Sequence, residues 1–381
     1  MSDDHIGVGI VGIGGRGGTF DMPAAFADRA RVAAVCDIDE EALAAAAAKM
    51  PSVPTFADYE TMLSETRLDA VVIGTPMPYH APQAIAALER DIHVLSEVPA
   101  GVTIEECRAL VEAANSSAAE YMMAENYIYT KPNQLVKSLV KEGLFGEVYY
   151  AEGEYLHELK ELNEITPWRR EWQTGINGVT YPTHSLGPIL TWMPDDRVAR
   201  VCCTGSGHHY VDPRGDEYEQ EDTTVMLCET VKDRLIKIRL DMLSERPHAM
   251  DNYQLQGTNG CYESARAIGS APESDGFDTH NIWLEAFEDA PDSHDYEWQA
   301  LFEFEQFLPE RWRDPPPEAT ESGHGGGDYF IMADFLDAVI NGTTPPIDIH
   351  RSMDMTLPGL ASQESIEQDG RWVDVPDPRK W

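Results

Sequence analysis

Thirteen residues near the N-terminus, IGVGIVGIGGRGG from Ile6 to Gly18, limit what this chain can fold into more than any other stretch. An apolar, partly β-branched run ending in Gly12, Gly14 and Gly17 reads as a strand that turns into a helix and leaves room for a pyrophosphate. Gly12 permits the tight turn, Gly14 removes a side chain where backbone meets phosphate, and Gly17 lets the helix pack closely on the strand. The phosphate would rest on backbone amides at the helix N-terminus. A lone G-x-G-x-x-G is weak evidence, but a second apolar run, Arg31 to Cys36, ends in Asp37 at the roughly 20-residue spacing where an acidic side chain meets the adenosine ribose. A carboxylate there repels a 2′-phosphate, so the expected cofactor is NAD rather than NADP. The competing reading makes Asp37 a solvated helix start ahead of Asp39 and the alanine-rich Glu41 to Lys49.

From Ile6 to about Asn126 strand and helix patterns alternate. Strands are expected at Gly7 to Val11, Val32 to Cys36, Ala70 to Gly74, His93 to Ser96 and Tyr121 to Ala124. Helices are signalled by Asp39, by Pro82 before Gln83 to Glu89, and by a Thr103/Glu106 capping box. Such alternation gives a Rossmann-like, doubly wound parallel sheet. Its ligands bind at the carboxyl ends of the strands, where Gly12, Asp37, Thr75, Pro76 and Glu97 converge.

After a helix from Pro132 to Glu142 the pattern changes. Val148 to Leu156, Val198 to Gly205, Thr223 to Glu229, Leu235 to Met242 and Tyr253 to Gln256 predict an open, mostly antiparallel sheet with few helices between its strands. Ser270 to Asp295 reads as a surface excursion and Pro315 to Gly327 as a loop. A late helix, about 329–340, is expected to return to the first domain. The division is 1–126 for a cofactor-binding domain and 127–381 for a substrate domain, an α/β fold followed by α+β.

The chain carries 67 acidic and 28 basic residues, a net charge of −39. Charge of that size strains a compact state and argues against nucleic acid or an anionic membrane as partner. The Debye length falls from about 10 Å at 0.1 M salt to about 3 Å at 1 M, so a salt-loving host is expected. Loss of the fold in dilute buffer is the corresponding outcome; full stability without salt contradicts it. With no membrane-length apolar run and no signal-like N-terminus, a cytoplasmic protein is expected. None of the six cysteines forms a C-x-x-C pair, so reduced buried thiols are expected, with no metal site.

Taken together, Gly12-x-Gly14-x-x-Gly17, Thr75-Pro76, Glu97-x-Pro99 and a following sheet domain resemble the glucose-fructose oxidoreductase and inositol dehydrogenase superfamily (Gfo/Idh/MocA) across essentially the whole chain. Two positions depart from its dehydrogenases. Val98 stands where they carry a lysine, and Thr180 where they carry an aspartate, so only His184 of their Lys, Asp and His set remains. One branch lacks the same groups: the NAD-dependent glycoside hydrolases typified by α-N-acetylgalactosaminidase. The chain resembles it at Glu97-Val98-Pro99, Met123 to Asn126, Gly143 to Gly146, Tyr155 to His157, Trp168-Arg169, Tyr181-Pro182-Thr183-His184 and Gly323 to Gly326.

The resemblance implies cofactor contacts from Gly15, Arg16, Asp37, the segment Met77 to His80, Glu97, Val98 and Asn126. It implies sugar contacts from Tyr155, Arg169, Tyr181, Thr183 and His184. His157, two residues from Tyr155 on a predicted strand, faces the same side, so that the pair either shares a polar pocket wall or packs across strands. His184 is the candidate base, because imidazole changes charge near neutral pH, and Tyr181 the candidate hydroxyl donor. The branch also has a sheet-domain tyrosine near Arg246-Pro247, close to where His248 stands here, and of its aromatic residues through Met77 to Tyr79 the one at Met77 is not kept. The implied activity is NAD-dependent glycoside hydrolysis through transient oxidation at sugar carbon 3. A sugar 3-dehydrogenase and a non-catalytic sugar or NAD sensor are the other readings, and a homodimer or tetramer is expected from the open sheet face.

Overall fold

The computed structural model describes residues 5–20, 25–266, 279–287 and 296–381. Its contacts divide the chain into two compact units. One comprises residues 1–126, 317–353 and 378–381; the other comprises 127–316 and 354–377.

The first unit is built on six strands: β1 (Ile6–Val11), β2 (Ala30–Cys36), β3 (Thr55–Phe56), β4 (Ala70–Ile73), β5 (His93–Ser96) and β6 (Tyr121–Met123). They pair in the order β3-β2-β1-β4-β5-β6, all parallel. Near-continuous apolar runs suit strands buried on both faces. Four helices connect them: α1 (Glu40–Lys49), α2 (Tyr59–Glu65), α3 (His80–Leu88) and α4 (Ile104–Ser116). Asp39 caps α1 by accepting from the Glu41 amide, and Thr103 caps α4 by accepting from Glu106. The segment after β1 departs from expectation: Arg16–Phe20 is a five-residue 3₁₀ helix rather than an α-helix. Glycine at Gly17 and Gly18 disfavours a regular helix there.

The second unit starts with α5 (Lys131–Lys141) and β7 (Val148–Leu156), then α6 (Lys160–Ile165), α7 (Trp168–Trp172) and α8 (Thr183–Trp192). Strands β8 (Val198–Gly205), β9 (Thr223–Thr230), β10 (Leu235–Asp241), β11 (Ala249–Gly257), β12 (Gly260–Glu263), β13 (Asn281–Leu284) and β14 (Gln299–Ala300) follow. With β15 (Val373–Asp374) they form a nine-stranded sheet, β14-β13-β12-β11-β7-β10-β9-β8-β15. Every pairing is antiparallel except β7 with β10. Alternation along β9 and β10 puts Met226, Cys228, Ile236, Ile238 and Leu240 on the buried face. The three helices between β7 and β8 exceed the sequence expectation, because Gly187 and Pro188 inside α8 disguise its periodicity. Gly153 lets α8 lie against β7: a Cβ there would fall 2.9 Å from the Ser185 Cβ.

Short helices α9 (Glu310–Arg313) and α10 (Pro317–Thr320) precede α11 (Gly327–Asn341) and the 19-residue α12 (Ile349–Glu367). Thus Pro315 to Gly327 is not simply loop. In the first unit the Phe26 and Tyr329 rings stack at 4.9 Å, and Arg29 pairs with Asp337. Of the expected excursion Ser270 to Asp295, residues 281–284 are strand β13, paired with β12. Residues 270–278 and 288–295 lie outside the described residues.

All six cysteines are free thiols, with Cys202 and Cys261 half-buried and the others buried. Burial pushes Cys36 and Cys203 up to about 12, well away from the reactive thiolate range. Among the described residues, no helix is long and apolar enough to cross a membrane.

Candidate active site

In the first unit the glycine turn is tight enough to require glycine. Gly12 has φ of +80°, and a Cβ on it would lie 2.6 Å from the Gly74 carbonyl oxygen. The Gly14 amide donates to Asp37 Oδ2 at 2.8 Å, and the Asp39 amide to Oδ1 at 3.0 Å. Two backbone donors orient the carboxylate and leave it further acceptor capacity for a ribose diol. Ile38, 92% exposed, offers apolar surface immediately beyond it, a feature the sequence reading did not single out. Buried Asn126 carries an Oδ1 with no hydrogen-bond partner, the kind of orphan that a bound polar group satisfies. These observations fit a dinucleotide: Asp37 has acceptor capacity that would suit its ribose, and Asn126 an acceptor that would suit a further polar group.

Other residues expected to touch the cofactor are occupied by the protein. Thr75 Oγ1 donates to Gln83 Oε1 at 2.7 Å, Met77 is buried, and Gly15 donates its amide to the Gly12 carbonyl. His80 is 1% exposed, with Nδ1 2.8 Å from the Pro99 carbonyl and Nε2 2.7 Å from that of Thr75. Arg16 donates through Nε to Glu97 Oε1 at 3.0 Å and through both terminal nitrogens to Asp328. Asp328 is fully buried in the first turn of α11 and also faces Nδ1 of His324 at 3.1 Å. Despite its burial, the bonds from His324 and Arg16 hold its carboxyl below the usual range. Val98 is buried and apolar.

In the second unit a cluster of rings surrounds His184, the second residue of α8. Its imidazole lies 4.4 Å from the Tyr127 ring, 4.9 Å from Tyr181 and 5.2 Å from Tyr155. The Tyr253 hydroxyl donates to the His184 carbonyl at 2.6 Å and fixes the helix start; no local signal could link residues so distant in sequence. Tyr155 Oη and His157 Nδ1 are 2.9 Å apart, and the His157 ring lies 4.7 Å from that of His248.

Burial, with help from His248, Arg169 and His184, drops the His157 pKa to about 4. His157 is therefore neutral near pH 7 and serves as a hydrogen-bond partner for Tyr155, not as a strong base. Arg169 donates from Nε to Thr166 Oγ1 and from NH1 to Gln173 Oε1, which uses part of its fork. Thr183 is fully buried and its Oγ1 lacks a partner. Thr180, at the aspartate position, is buried beside Gln220. Among the described residues no group of three or more His, Cys, Asp or Glu is placed to hold a metal.

The parallel sheet, glycine turn and Asp37 define an NAD-binding Rossmann domain of the Gfo/Idh/MocA type. The family model of an oxidoreductase family with NAD-binding Rossmann fold matches residues 6–125, and the C-terminal domain model of glycosyl hydrolase 109 matches 129–380. The chain belongs to glycosyl hydrolase family 109. A family 109 protein of Saccharopolyspora erythraea is 31% identical over 98% of this chain and 83% of its own length. An alpha-N-acetylgalactosaminidase of Shewanella oneidensis is 29% identical over 97% and 84%. Among solved structures, levoglucosan dehydrogenase in complex with NADH superposes with a TM-score of 0.79 at 20% identity, covering 98% of this chain and all of that one. The WlbA dehydrogenase of Bordetella pertussis, in complex with NADH and UDP-GlcNAcA, gives 0.73 at 20% identity, with 99% of each chain covered. These two likenesses are of fold; the cofactor of this enzyme is NAD.

Proposed function

We propose that this chain hydrolyses a glycoside by transient oxidation at sugar carbon 3, and that His184 and Tyr181 handle the protons. The observation that carries the reading is the buried His184, ringed by Tyr127, Tyr155 and Tyr181 with no lysine at the Val98 position. The glycine turn, Asp37 and Asn126 would hold NAD, which when bound supplies reversible hydride acceptance and leaves no net redox change. A ketone at carbon 3 acidifies the proton on carbon 2, and the His184 imidazole is the base that removes it. That deprotonation expels the anomeric oxygen, which takes a proton as it leaves, and Tyr181 is the hydroxyl able to give it. Water then adds at carbon 1 and gives its proton to the Tyr181 phenolate, His184 returns a proton to carbon 2, and the carbon-3 ketone is reduced back to the alcohol, so that both side chains end as they began. Tyr155, held by neutral His157, and Arg169 would orient the sugar hydroxyls or an acetamido oxygen.

The Shewanella relative's name makes an α-N-acetylgalactosaminide the first substrate to try. The test follows nitrophenol and NADH together across a panel of 4-nitrophenyl glycosides, using protein kept in molar salt. Nitrophenol without accumulating NADH is the expected outcome. Stoichiometric NADH would replace this reading with a sugar 3-dehydrogenase, and NAD binding with silence across a broad panel would favour a sensor.

A further inference from the structure

His80 opens α3, and both of its ring nitrogens face carbonyl oxygens, Pro99 at 2.8 Å and Thr75 at 2.7 Å. Carbonyl oxygens only accept. A neutral imidazole has one N–H, so its other nitrogen would turn a lone pair onto a carbonyl less than 3 Å away; the imidazolium donates to both. We propose that His80 is a buried imidazolium and a positioning residue. By pinning the Thr75 and Pro99 carbonyls it fixes the two strand-end segments that carry Thr75, Pro76, Glu97 and Val98. The inference rests on NAD binding alone and holds whichever sugar the enzyme acts on.

The surrounding charges support it. Glu97, 8% exposed, is the carboxylate that acts on His80. Arg16 joins Glu97 to the fully buried Asp328, and His324, more exposed, reaches Asp328 as well. Two carboxylates against one guanidinium leave an excess negative charge in a desolvated place; a proton on His80 balances two against two. Burial of the His80 ring acts in the opposite sense and lowers its pKa, while the two carbonyls and Glu97 resist it. The contact geometry is the stronger guide, since losing the proton forfeits one carbonyl bond and unbalances the group together. The His80 ring is spent on backbone, and its influence on NAD passes through the segments it holds.

The decisive measurement is ring ¹⁵N spectroscopy of histidine-labelled wild-type protein in molar salt, with His80 identified by NOEs to Thr75 and Pro99 protons. Both ring nitrogens are expected to be protonated from about pH 6 to about pH 8, beyond the ordinary imidazole range. A neutral tautomer at pH 7 overturns the proposal, and this reading needs no variant to fold. The second measurement is NAD affinity by tryptophan fluorescence. His80→Gln keeps a single amide donor group and should weaken NAD binding about tenfold while circular dichroism stays unchanged. Wild-type affinity should also fall at alkaline pH as the ring deprotonates, a step absent from His80→Gln. Equal affinities in a folded variant, or the same pH profile in both proteins, would also overturn it.

Discussion

The charged group around Glu97 in the first unit and the ring cluster around His184 in the second are both buried and polar, but they accommodate burial by opposite means. Around Glu97, desolvated charges are set against one another: Arg16 pairs with both Glu97 and Asp328, and His324 reaches Asp328 at the edge. Around His184 the neighbours are mainly hydroxyls and imidazoles with the Arg169 guanidinium beside them, and His157 is held neutral with its pKa at about 4. Matched charges are rigid, because moving one strands another. Neutral hydroxyl and imidazole pairs exchange protons at little cost. The first arrangement suits holding a cofactor in one orientation, and the second suits passing protons to and from a substrate.

Removing the central imidazole should separate the two most sharply. His184→Ala is expected to lower turnover by about 10² to 10⁴-fold, the usual worth of a positioned acid or base, with NAD affinity unchanged. Steady-state rates beside NAD titrations check this; unaltered turnover would remove His184 from the chemistry.

Breaking the charged group should act on stability instead. Asp328→Asn leaves Arg16 short of one buried carboxylate and should cost about 3 kcal/mol, read from urea unfolding in molar salt. A change within about 0.5 kcal/mol would mean that Glu97 alone satisfies Arg16.

The smallest effect is read against pH, in the second unit. The folded pKa of His157, about 4, lies below the ordinary imidazole value, as does that of buried His280, also about 4. Unfolded chains therefore take up these protons first as pH falls. The stability each group contributes is complete above about pH 6.5 and is lost progressively toward pH 4, the unfolded chain binding up to about one more proton per group in that window. Unfolding curves for the wild type and His157→Gln should converge over that window, and parallel curves would show that His157 is not held neutral.

Much of the cofactor half was legible because its signals are local. The glycine spacing, the acidic residue after the second strand and the helix caps act over a few residues, and the structure places Gly14 directly on Asp37. The second unit's cluster was legible only in part. Strand alternation put Tyr155 and His157 together, and they meet at 2.9 Å. Tyr127, Tyr253 and the helix beneath His184 were not foreseen, because Pro188 hides the helix and long-range packing chooses the neighbours.

By itself the sequence determined the parallel sheet, the glycine turn and the NAD preference, since each depends on backbone conformation or residue type within a short window, and the family resemblance added that Val98 stands at a lysine position. Tertiary structure alone decided that Arg16 and His80 serve the protein's own carboxylates and carbonyls, that Asp328 joins them, and that His157 is neutral. Those outcomes depend on burial and on charges brought together from distant parts of the chain, which no local pattern records.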